Sequence, residues 1–159
     1  MDDKDRFAVW LADTVLQANG DDFGAAALGA LAEEGERTGD FDAALKGAAS
    51  STRRPGDFGV EFVGPLLPVL LVEFGRLLWA AYSKALAEQG GKALAAVTID
   101  KIKELVNATF ARRQSVLSAA DAEAQLRRAG QVSGLNDEQV NKLLDTLHNP
   151  EAVRALAGG

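Results

Sequence analysis

Residues 60–82 read VEFVGPLLPVLLVEFGRLLWAAY. The run approaches the roughly twenty mostly apolar residues that cross a bilayer, yet it carries three charges, Glu61, Glu73 and Arg76. What buries this segment decides the fold: the protein's own core, a partner chain or a lipid. Phase separates these readings. Glu73, Arg76, Ala80, Ser83, Lys84 and Ala87 recur at helical spacing as one narrow polar stripe, with Phe74, Leu77, Leu78 and Ala81 opposite. In a bilayer Glu73 and Arg76 would sit near the middle, each at a cost of roughly 2.5–3.5 kcal/mol. Pairing on one helix face recovers only part of that. The stripe is the pattern of a central bundle helix with a thin exposed edge, and Leu70, Phe74, Leu77, Leu78 and Ala81 are expected inside.

Punctuation sets the bounds of this helix. Pro65 and Pro68 suit a first turn, where no intrahelical N–H partner is lost, and Gly90-Gly91 suits a break, so a helix is expected over 65–89. Residues 58–63 read as a separate turn. A second long helix is expected from Lys92 to about Val116, with Ile99, Ile102, Leu105, Val106 and Phe110 as its apolar stripe, making a helical hairpin over 65–116.

Upstream, a glycine is followed by aspartate and phenylalanine three times: Gly20-Asp21-Asp22-Phe23, Gly39-Asp40-Phe41 and Gly56-Asp57-Phe58. Glycine suits the left-handed residue that closes a helix, aspartate the N-cap of the next, and phenylalanine a core anchor at its start. Helices are therefore expected from Asp3 to Ala18, from Asp22 to about Glu34 and from Phe41 to about Ala49. Phe7, Trp10, Leu11, Val15 and Ala18 form the stripe of the first. Phe23, Ala27, Ala30 and Leu31 form that of the second, where Gly24 and Gly29 would admit a close neighbour. The segment SSTRRPGD, residues 50–57, has no apolar anchor and reads as a linker.

Downstream, a helix is expected from about Ala119 to Ala129, ending at Gly130. Asn136 with Gln139 forms a capping box, and Leu135 with Val140 a hydrophobic staple, for a helix running to His148. Asn149-Pro150 then starts a short last helix. The expected fold is thus all-α, a compact bundle of seven or eight helices around the central apolar one. Its parts are the acidic helices of 1–50, a linker over 51–57, the apolar hairpin of 58–116 and a three-helix appendage over 117–159, together one structural unit.

The chain of 159 residues carries a net charge of -6. Residues 1–50 hold eleven acids against four bases, and residues 51–114 nine bases against six acids. The acidic first third reads as solvated surface; the sharper alternative is that it lies across the basic middle and holds it in place. An acidic chain without a concentrated basic face is a poor match to nucleic acid, whose phosphates supply most of that affinity. Asp137-Glu138 would repel phosphates where a recognition helix meets them. There is no cysteine, which fits a reducing cytoplasm and excludes thiolate chemistry and Cys-based zinc sites. The acidic start, MDDKDRFAVW, does not read as a secretory signal.

No catalytic constellation emerges. The single histidine, His148, sits at a helix C-terminus, where the dipole favours a protonated imidazole and capping is its expected role. No phosphate-binding loop, GxGxxG, HExxH, GxSxG or EF-hand pattern is present. Asp21-Asp22 and Glu33-Glu34 read as caps and solvated surface, and Arg112-Arg113 and Arg127-Arg128 as solvated helix ends. No cofactor, metal or catalytic residue is assigned.

The expected function is a non-enzymatic helical module, an adaptor or regulatory subunit acting through protein–protein contact. Glu73, Gly75, Arg76, Trp79 and Ala80 are its candidate interface residues. A homo-oligomer or hetero-complex should cover part of 58–82, with a two-fold dimer as the simplest case. The alternative is a membrane-active protein whose apolar hairpin is kept soluble by the surrounding amphipathic helices until triggered. An enzyme with a pocket in the bundle is the third reading.

Overall fold

The computed structural model describes residues 1–52, 63–89, 97–111, 117–132 and 134–158. Among them are eight helices and no strand: α1 (Asp3–Ala18), α2 (Asp22–Thr38), α3 (Phe41–Thr52), α4 (Val63–Gln89), α5 (Ile99–Phe110), α6 (Ala119–Val132), α7 (Asp137–His148) and α8 (Pro150–Gly158). α3 runs on to Thr52 and takes in the first two residues of the linker expected at 51–57; the rest of that linker, the third Gly-Asp-Phe site and the Gly90-Gly91 break lie outside the described residues.

The two most extensively packed helices are α1 and α4. They meet where both backbones are bare. A Cβ added at Gly75 of α4 would lie 2.7 Å from Ala8 Cα of α1, so only glycine allows the helices this spacing. Around that crossing, Phe7, Ala8, Leu11, Ala12, Val15 and Leu16 of α1 are buried, as are Leu70, Leu71, Val72, Phe74 and Leu78 of α4. Phe7 is flanked by Trp10 at 5.8 Å and Trp79 at 5.6 Å between ring centroids, both tilted. Lys103 of α5 places its ammonium 4.7 Å above the Trp10 ring, a cation–π contact at the rim.

The other helices close around this pair. α2 and α3 cover one side, and Phe41 sits over Gly35, where an added Cβ would be 2.7 Å from the ring. α8 packs on α1 and α5, and α6 on α4 and α7, so the C-terminal helices are integral to the bundle. Two polar knots fasten distant parts. Asn19, just past α1, donates through Nδ2 to Val15 O at 2.8 Å and Thr146 O at 3.0 Å. Its Oδ1 accepts from Asn149 Nδ2 at 2.7 Å, while Asn149 Oδ1 caps α8 through the Glu151 N–H at 3.0 Å. The second knot joins the Tyr82 hydroxyl of α4 to Thr109 Oγ1 of α5 at 2.7 Å. Thr109 Oγ1 also lies 2.9 Å from the carbonyls of both Leu105 and Leu117. Its single proton goes to a carbonyl, so Tyr82 donates to it.

The helix joints follow their caps. Gly20 and Gly39 take the left-handed conformation, φ 71° and 72°. Asp21 Oδ1 accepts from Gly24 N at 2.8 Å and Asp40 Oδ1 from Ala43 N at 3.0 Å. The reciprocal capping box of Asn136 and Gln139 is present.

Several expectations are corrected. Phe23 is not a core anchor; it is 85% exposed. The buried stripe of α2 is Gly24, Leu28 and Gly35, which lets Gly35 receive Phe41. Five residues before Leu28, Phe23 is turned about 140° away from it. Gly24 and Gly29 admit no neighbouring helix: Gly29 faces open space, and Gly24 faces the carboxylate of its own cap, Asp21. Leu77 and Ala81 are half-buried. The helix expected from Lys92 does not run through Thr98, whose extended backbone (ψ 161°) and side-chain bond to Lys101 N start α5 at Ile99. α2 and α6 run past their expected ends, to Gly39 and nearly to Gly134, the glycines that do take a positive φ.

Candidate functional site

The polar stripe of α4 divides into two sites. At its N-terminal end is an ion cluster. Arg76 Nε donates to Asp5 Oδ1 of α1 at 2.8 Å, its Nη1 lies 2.7 Å from Asp42 Oδ1 of α3, and Glu73 is 3.7 Å away. Its guanidinium stacks on Phe41 at 5.4 Å. Arg76 is only 16% exposed. Burial alone would lower its pKa; the hydrogen bonds to Asp5 and Asp42 outweigh this and hold it above its ordinary value. The hydrogen bond and charge of Arg76 hold the Asp42 carboxyl below its ordinary 3.8. Two acids of the first third thus grip the one cation of the apolar run. The cluster clamps three helices together and leaves Arg76 engaged.

Further along α4, the stripe opens into a groove of about 380 Å³ against α6. Leu77, Ala80, Ala81, Ala85 and Leu117 form its floor, and Lys84, Glu88, Gln125 and Arg128 its rim. The alanines explain the hollow: α1 covers the opposite face of α4, and α6 reaches this face only along one side. The back wall is fixed, because the Leu117 carbonyl is within 2.9 Å of Thr109 Oγ1, which holds Tyr82. Burial pushes the Tyr82 phenol up to about 12 despite the opposing hydrogen bond with Thr109. Lys84 and Arg128 form no ion pair among the described residues, whereas the neighbouring Arg127 is paired with Glu123 at 3.6 Å. One turn past Arg128 on the same face of α6, Val132 is 80% exposed.

A wider cleft of about 670 Å³ lies between α2 and α3, over Leu31, Ala44, Gly47 and Ala48. Its polar groups are already engaged: Glu34 pairs with Arg37 at 2.7 Å, and Asp40 caps α3. The α4–α6 groove differs in offering two cations that form no ion pair among the described residues.

The five candidate interface residues separate. Glu73 and Arg76 meet in the ion cluster, Gly75 is closed under Ala8, and Trp79 leans on Phe7. Ala80 alone of the five lies exposed in the groove. Sequence reasoning missed Arg128, Gln125 and Leu117, because their placement beside α4 depends on how α6 docks. The signal that existed was the Arg127-Arg128 doublet, of which Arg127 is paired and Arg128 forms no ion pair among the described residues.

Among the described residues, no group of three or more His, Asp or Glu side chains is placed to hold a metal ion, and no helix is long and apolar enough to cross a membrane. No family model, curated protein or solved structure matches the chain.

Proposed function

We propose that this protein is a non-enzymatic helical interaction module whose α4–α6 groove receives an apolar, acid-flanked helix from a partner. The observation that carries this reading is the recessed alanine floor set between two cations, Lys84 and Arg128, that have no ion-pair partner among the described residues. Helix-in-groove recognition needs an apolar trough for the side chains at i, i+3 and i+7. Charges at the rim then select the partner and steer its approach more than they add affinity. A floor of alanines takes a bulky side chain without displacing one, and the Tyr82–Thr109–Leu117 knot keeps the wall in place before binding.

The test is a titration of the isotope-labelled protein, at low concentration, with three synthetic helical peptides that share one apolar face and differ only in acidic, neutral or basic flanks. The acidic peptide should shift the amides of Ala80, Ala81, Lys84, Gln125 and Arg128, and Ala80→Arg should abolish the shifts. Equal response to the basic peptide, or shifts elsewhere on the bundle, would remove the reading.

A further inference from the structure

Phe23 poses the question that the groove answers. A phenylalanine that is 85% exposed leaves most of a large apolar side chain in water, where burial would gain about 25 cal/mol per Å². It does not stand alone. Ala26 and Ala30 share its face of α2 at helical spacing and are exposed, as is Gly29 beside them. This face is therefore a smooth apolar lane headed by a ring. Its ends are acidic: Asp22 precedes Phe23 and Glu33 closes the lane, both exposed and neither in an ion pair among the described residues. The α4–α6 groove offers the counterpart, an apolar floor with Lys84 and Arg128 at its rim.

From this match we infer that the groove's occupant is the outer face of α2 from a second copy of the chain, with Phe23 seated on the alanine floor and Asp22 and Glu33 facing Lys84 and Arg128. The inference rests on the proposed function and gives it a partner. Two different patches meet, so the contact is heterologous in kind. It closes if two copies exchange α2 faces reciprocally or if successive copies complete a ring; otherwise it adds copies head to tail. One helix face in one groove is a small interface, at the weak, transient end of protein contacts, so association should grow with concentration. Much of its strength should come from Phe23, the single aromatic anchor. Glu88 on the same rim disfavours an acid placed directly over it and so helps to fix the register.

The experiment is sedimentation velocity of the purified full chain up to millimolar concentration. The mass of the unaltered protein should rise with concentration. Phe23→Ala and Ala80→Arg, both at exposed positions, should each weaken association at least tenfold while melting as the unaltered protein does. An equal mixture of these two variants keeps one intact face and one intact groove, so it should form 1:1 pairs and nothing larger. Lys84→Glu should weaken association, and mixing it with Asp22→Lys should restore it. A monomer throughout, full association by Phe23→Ala, or a mixture that stays monomeric would each overturn the inference. If the acidic peptide still binds the groove in that case, the proposed function stands with a different partner; if it does not, both fall.

Discussion

Tyr82 is the residue whose surroundings make the sharpest demand. Its ring is buried on α4 and its hydroxyl donates to Thr109 at 2.7 Å. Ionising it would place a charge in the core, which is why burial pushes its pKa from 10.0 to about 12. A pKa raised in the folded state means that the native protein holds the proton more tightly. The contribution is complete below pH 10, fades as pH rises toward 12, and amounts to about 2–3 kcal/mol when fully lost. Tyr82→Phe should cost about 1 kcal/mol at neutral pH and should flatten this alkaline loss. Urea melts of the two proteins across that range check it. The chain has one tyrosine, so phenolate absorbance reports this group alone. The value of a single residue could be read from sequence only where the neighbours were local. Asn136 and Gln139 cap each other three residues apart, so their bond was visible in the spacing. Tyr82 finds Thr109 across a helix break, and nothing in either flanking sequence announces the other.

At the scale of elements, two glycines in helices should respond with opposite signs. Gly75 lies under the α1 backbone, and a methyl there would have to push Ala8 away; Gly75→Ala should cost about 1–3 kcal/mol through overpacking. Gly47 of α3 has nothing within 4 Å of the same position, and Gly47→Ala should gain about 0.5–1 kcal/mol from helix propensity alone. Thermal melts of the two variants test the crossing of α1 over α4 directly. The helices themselves were legible wherever period and cap agreed. α1 and α7 lie where their stripes and caps put them, whereas α4 already starts at Val63 and so takes Pro68 inside the helix, not in its first turn. Rotation was less legible. α2 has alanines on most sides, so its phase could be set by Phe23 or by Leu28, and tertiary contact at Gly35 decided for Leu28. The same effect moved Leu77 and Ala81 from the interior to the groove: α1 packs on α4 at Gly75, on the other side of the helix. The groove was therefore unreadable from α4 alone, because a hollow is a property of two helices and of the side chains that fail to fill the space between them.

For the whole molecule, the question is which parts can be removed. The division of the sequence into an acidic third, an apolar hairpin and a C-terminal appendage follows charge and punctuation. Packing crosses those lines. Arg76 of the middle is gripped by Asp5 and Asp42 of the first third, and α8 lies on α1. Removing residues 149–159 should uncover α1, including the end held by the Asn19–Asn149 knot. The shortened chain should bind an apolar dye, lose its cooperative melt and show altered fluorescence from Trp10 and Trp79, which both flank Phe7. A shortened chain that melts cooperatively near the full-length midpoint would show that α8 is dispensable.

The lock between Asn19 and Asn149 also has a consequence in time. The ribosome makes α1 first and α8 last among the described helices, yet α8 covers part of α1. Asn19 and Asn149 are 130 positions apart, and while that stretch is polymerised, at roughly 5–20 residues per second, the stripe of Phe7, Leu11 and Val15 has no complete cover. For many seconds the nascent chain carries a sticky surface that a helix not yet made is meant to hide. Chaperone dependence and sensitivity to translational pausing late in the message should follow from the placement of two asparagines.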